Sequence, residues 1–153
     1  MPPAHPADLH AARSRRESLQ QAVLGLEDAL RTPLDDGSRW RLRVAMAVDH
    51  AAARVVEHVV ASEGSDSLLA QVRTDSPRLG WRVDRLRTDH SRLLGDVEQL
   101  RAAVADLGDD QVADRGPDIQ DQARALTNTL TRHRHRRTDL VYEAYQVDLG
   151  GDH

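Results

Sequence analysis

From Leu79 to Leu107 the chain repeats one pattern: Leu79, Val83, Leu86, His90, Leu93, Val97, Leu100, Val104 and Leu107 follow one another at alternating steps of four and three. That spacing places every member on one stripe of an α-helix and scatters them on both faces of a strand. A helix with a single apolar stripe must bury it against other helices or a sheet. Nothing in the chain alternates with the period of a strand, so the partners are helices.

Three further segments have the same character. The first runs from about Ala7 to Arg31, with an inward row of Leu9, Ala12, Leu19, Val23, Leu26 and Leu30, and Arg16 in its one gap. Thr32-Pro33 stops it, because proline disfavours helix for the residue before it. Asp35-Asp36-Gly37-Ser38 reads as a turn, with Ser38 placed to cap the next helix. The second segment begins near Arg39 with the row Trp40, Val44, Ala47, Ala51, Val55, His58 and Ser62. Gly64-Ser65-Asp66-Ser67 interrupts or bends it, and Leu68, Leu69 and Val72 resume the pattern. Ser76-Pro77 starts the third helix as cap and first residue. Gly108 through Arg115-Gly116-Pro117 reads as its end, and Asp118 as the cap of a fourth. The fourth row is Ile119, Ala123, Leu126, Leu130, His133, Arg137, Leu140, Val141 and Ala144, closed by Gly150-Gly151. The expectation is an all-α, antiparallel up-down four-helix bundle, a single domain over 1–153 with flexible ends at 1–7 and 150–153.

Composition narrows the function classes. The 153 residues suit one domain with a core of its own. There is no Cys, which removes disulfides, thiolate metal sites and a thiol nucleophile. The start of the chain lacks the pattern of a signal peptide. No apolar run approaches the length of about 20 residues that a membrane span needs. These features agree with a cytoplasmic protein. All 21 basic residues are Arg, yet the net charge is −4 and aromatics are 3%. Neither the basic excess nor the stacking surface of a nucleic-acid binder is present. The run Arg132-His133-Arg134-His135-Arg136-Arg137 reads as a solvated face balanced by Asp118, Asp121 and Asp139. Trp40 and Trp81 read as packing residues. No phosphate loop or nucleophile–base set is visible.

Chemistry is carried by histidine. Of eight His, five lie at the ends or off the inward rows: His5, His10, His50, His135 and His153. His58, His90 and His133 each take an apolar slot, on three consecutive helices. Facing side chains of a bundle core are where metal sites are built, and imidazole suits iron, zinc, copper or nickel. Their heights can be compared at a rise of about 1.5 Å per residue. With helix two continued to Arg73, His58 lies about 22 Å from its end and His90 about 21 Å from the start of helix three. Measured from the opposite end, His90 is about 27 Å and His133 about 22 Å along. If helix two stops at Glu63, this match fails: His58 then faces Trp81, and His50 nears the level of His90. The nearby carboxylates are Glu63, Asp139 and, further off, Glu143.

These residues resemble the hemerythrin-like, or HHE cation-binding, family over about Trp40 to Asp148. His58-Val59-Val60-Ala61-Ser62-Glu63 looks like that family's second helix. Leu86-Arg87-Thr88-Asp89-His90-Ser91-Arg92-Leu93 looks like its third, and His133 through Asp139 and Glu143 like its fourth. The resemblance implies a non-haem metal site, iron by preference, with His58, Glu63, His90, His133, Asp139 and Glu143 as ligands or their partners. It further implies oxygen or peroxide sensing, storage or redox chemistry on a small diatomic or peroxide ligand. The sequence departs from the family at two histidines. The inward row of helix one holds Arg16 and no ligand, and Leu86 stands where a further His often lies. On helix four the carboxylate is displaced from Thr138 to Asp139. Zinc, a single ion or a vacant site therefore stay open. The alternative is a metal-free bundle acting as a structural or interaction module. It would have hydrogen-bonded core histidines, inward Arg16 and Arg137 paired with Glu63 or Glu143, and an apolar surface on helix one serving a homodimer.

Overall fold

The computed structural model describes residues 19–147. Among these the chain is a four-helix bundle without strands. Helix α1 covers 19–30. Helix α2 is Gly37–Glu63, the short α3 is Leu68–Asp75, α4 is Gly80–Ala105 and α5 is Val112–Tyr142. The long helices α1, α2, α4 and α5 form the bundle, and α3 sits on the way from α2 to α4. Arg16, His5, His10, His153 and both expected flexible ends lie outside the described residues. No helix among those described is long and apolar enough to cross a membrane.

The stripe from Leu79 to Leu107 is buried at every position. A 3₁₀ turn, Pro77–Leu79, leads into α4, so the proline sits where its missing N–H costs no helical hydrogen bond. On α2, Val48 is buried where Ala47 of the expected row is half-buried. A helix enclosed by neighbours on two sides buries a broader stripe than one row.

Two boundaries differ from expectation, and a third, left open by the sequence, is decided. Asp36, not Ser38, caps α2: its carboxylate accepts from the Arg39 N–H at 3.4 Å. Helix α5 starts at Val112 and runs through Gly116-Pro117 instead of beginning at Asp118. Gly116 explains this. Without a Cβ it avoids the clash that a following proline imposes, and it admits a close neighbour: a Cβ there would lie 2.7 Å from Leu34 Cδ2. Finally, α2 does stop at Glu63. Ser67 N–H donates to Gly64 C=O at 3.1 Å, and Ser67 Oγ then caps α3 by accepting from Ala70 N–H at 3.2 Å.

The core is divided. One apolar compartment joins α1, α2, α4 and α5, from Trp40 and Leu107 at one end to Val55, Leu93 and Leu130. A smaller one is formed by Leu69 and Val72 of α3, Leu79, Val83 and Leu86, and Leu140 and Ala144. Between Leu93 and Leu86 on α4 lies His90. Between Leu130 and Leu140 on α5 lie His133 and Arg137. Beyond Val55 on α2 lie His58 and Ser62. All five of these polar residues are buried, so a polar layer separates the two compartments.

Candidate metal centre

Each histidine of the layer is held by the helix row that carries it. His58, His90 and His133 are 1%, 2% and 1% exposed. Their rings stand edge to face with centroids 5.1–5.4 Å apart. One nitrogen from each lies within 4.8 Å of the others. His58 Nε2 and His133 Nε2 are 3.0 Å apart. A tetrahedral ion with metal–nitrogen bonds of about 2.0–2.1 Å holds its ligand nitrogens about 3.4 Å apart, so small ring movements separate this geometry from coordination.

The outer nitrogens are set by carboxylates. His90 Nδ1–H donates to Glu63 Oε1 at 2.7 Å. His133 Nδ1 faces Asp89 Oδ2 at 3.4 Å, and Arg136 donates to the same oxygen at 3.1 Å. An ionised carboxylate only accepts, so it fixes the hydrogen on Nδ1 and leaves the lone pair on Nε2. Carboxylates that orient ligand imidazoles in this way are the usual outer partners of metal-bound histidine. With lone pairs on His90 and His133, the 3.0 Å contact is a hydrogen bond donated by His58 Nε2–H to His133 Nε2. His90 Nε2 then has no hydrogen-bond partner although it is buried. A buried lone pair without a donor is costly, and a cation among the three rings would remove that cost. Ser62 Oγ, one turn past His58 on the same face, is likewise buried without a hydrogen-bond partner.

The electrostatics favour a neutral ring at His133. The pKa of His133 is lowered from 6.5 to about 4, first by burial, then by neighbouring His90 and Arg137, against an opposing pull from Asp89. A neutral imidazole is the form that binds metal. Arg137, 2% exposed and one turn from His133, puts positive charge beside the layer. Glu63 and Asp89 supply the compensating negative charge at its rim.

The expected site residues thus divide. His58, His90 and His133 are brought together at one level, and Glu63 reaches His90. The level holds even though α2 ends at Glu63: α3 takes up the remaining height, so stopping the helix does not lower His58 toward Trp81. Trp81 is 64% exposed and packs into neither compartment, whereas Trp40 is fully buried. His50 is exposed. Asp139 and Glu143 lie outside the group whose atoms converge. Asp139 is at the surface, lining a shallow pocket with Trp81, Arg85 and Arg136. Glu143 pairs with Arg82, and with Arg78 at 3.5 Å. The run at 132–137 is not wholly solvated: Arg137 is buried, and Arg136 serves Asp89. Asp89 is the contributor that sequence reasoning missed. Its signal was its place one residue before His90, about 100° round the helix and so turned toward a neighbouring helix.

No family model matches the chain, and neither the curated proteins nor the solved structures yielded a match.

Proposed function

We propose that the chain is a metal-binding helical bundle in which His58, His90 and His133 hold one divalent transition-metal ion. The observation that carries this is the convergence of three buried imidazoles, each from a different helix. Glu63 and Asp89 act on the rings and not on the ion: each accepts from an Nδ1–H and keeps an Nε2 lone pair turned inward. One ion is favoured over two, because Asp139 and Glu143 stand apart from the histidines. Three imidazoles suit zinc and non-haem iron alike. Such an ion would supply Lewis acidity or, if iron, redox chemistry. The hemerythrin-like resemblance favours iron and, with it, sensing, storage or redox chemistry on oxygen or peroxide.

The test is elemental analysis of protein purified without chelator, with His90→Ala alongside. Iron or zinc near one per chain, lost in the variant, is the expected result. Folded protein that stays empty after addition of ferrous iron or zinc would overturn the proposal. The competing reading, a metal-free interaction module, would then stand; the buried Arg137 beside the rings is the observation in its favour.

A further inference from the structure

The outward side of α2 carries a second ordered pattern, unrelated to the core. Leu42, Met46, Val56 and Val60 are 61%, 65%, 48% and 70% exposed. With Asp49 and Ala53, both exposed, they follow one another at steps of four, three, four, three and four. At 100° per residue these positions stay within an arc of about 80° and extend for about 27 Å along the helix. This is the spacing that a two-helix coiled coil uses for its seam, where knobs from one helix fill holes in the other. Exposed apolar side chains aligned in one row mark an interaction site more often than scattered single residues do. The expectation of such a surface on helix one is met among the described residues only by Leu24.

We propose that this face is occupied by the α2 of a second copy of the chain, running antiparallel. The spacing reads the same in both directions, which is what an isologous two-fold contact requires. Reversal about the seam's midpoint sets Leu42 against Val60 of the second copy, Met46 against Val56, and Asp49 against Ala53. The flanking charges obey the same symmetry. Arg43 and Glu57 lie on one side of the seam, and reversal brings Arg43 within about 3 Å of the level of the second copy's Glu57. Both side chains are exposed. A parallel pairing would instead carry the second copy's Arg43 and Glu57 to the opposite side of the seam, where neither meets its counterpart. Asp49, the one charge within the seam, is already neutralised by Arg101 at 3.0 Å. It faces only alanine in the antiparallel pair. A single helix pair of this length is at the small end of specific interfaces, so the dimer forms in the micromolar range and depends on concentration.

Sedimentation of the full chain, with and without chelator, tests this independently of the metal. The weight-average mass should rise from 17.0 kDa toward twice that value between about 10 μM and about 1 mM. Met46→Glu should hold the chain monomeric throughout. Arg43→Glu and Glu57→Arg should each weaken the dimer, and the double exchange should restore it. Orientation is read by cysteine cross-linking, since the chain has no Cys of its own. Ala53→Cys should oxidise to a linked dimer, because the paired positions are about 6 Å apart along the axis. Leu42→Cys should not, with its copies about 27 Å apart. A wild type that remains monomeric at 1 mM overturns the proposal. So does a dimer that survives Met46→Glu, or one in which Leu42→Cys links as readily as Ala53→Cys.

Discussion

The two apolar compartments on either side of the histidine layer are built on different plans. The larger draws on four long helices, each contributing an unbroken stripe, and closes around Trp40. The smaller draws on α4 and α5 but takes its α2 side from α3, a separate short helix with its own cap. Among the described residues α1 adds nothing to it. Continuous stripes make the larger compartment insensitive to any one helix boundary. The smaller depends on α3 starting afresh at its own cap, Ser67. The polar layer between them is where the bundle gives up apolar contact, and where three imidazoles meet.

The largest effect should come from Trp40→Ala, which empties the closed end of the larger compartment. A loss of about 3–5 kcal/mol in denaturant unfolding is expected, as for other buried aromatic truncations. An equal loss from Leu69→Ala in the smaller compartment would break the contrast.

Next in size is the acid response of the layer itself. His133 has a folded-state pKa near 4, against 6.5 when unfolded. Above pH 6.5 neither state is protonated there. As pH falls from 6.5 toward 4 the unfolded chain takes up a proton that the folded chain refuses, so stability drops by about 3 kcal/mol over that window. His133→Leu should flatten this part of the pH profile of unfolding free energy. A bound metal would deepen the loss and extend it to lower pH, with its onset still near pH 6.5.

Glu63→Ala tests the carboxylate at the rim. It should leave the fold intact and weaken metal binding about 10–100-fold in a competition titration, the usual cost of losing an outer partner of a ligand histidine. An unchanged affinity would sharpen the picture by shifting the orienting role to Asp89. The smallest effect is expected from Trp81→Ala, within about 0.5 kcal/mol, because its ring is mostly in water. The two tryptophans therefore calibrate what burial contributes in this bundle.

What could be read from the sequence follows the same division. The α4 row was legible residue by residue, because an apolar period is a repeated signal that no single exception disturbs. The three histidines were legible for the same reason: each filled a slot whose inward direction its neighbours had already defined. Boundaries were harder, since each rests on one or two residues. Ser38 and Asp36 are both competent caps, and only the chain path chooses Asp36. Pro117 signals a helix start in isolation, but Gly116 and the approach of Leu34 let α5 run through it. The height argument tied the match to an unbroken helix two. It did not allow a second helix to supply the missing length. Carboxylates were the least legible. Asp139 and Glu143 were placed by distance along α5 alone, whereas Glu143 is drawn to Arg82 and Arg78 at the start of α4 and in the turn before it, and Asp139 lies at the surface. Asp89 reaches His133 across a helix interface, a relation that no spacing within one helix encodes.

The turn between α2 and α3 has a consequence for how this sequence tolerates change. In one continuous helix, an added residue rotates everything beyond it by about 100°. An insertion between Val44 and Val55 would therefore swing His58 out of its layer. At Gly64–Asp66 the register is set afresh by the Ser67 cap, so an extra residue there lengthens a surface turn and leaves both flanking helices facing as before. The bundle in effect has a splice point: the α2 segment that bears His58 and the α3 segment that lines the smaller compartment can vary in length relation without disturbing each other.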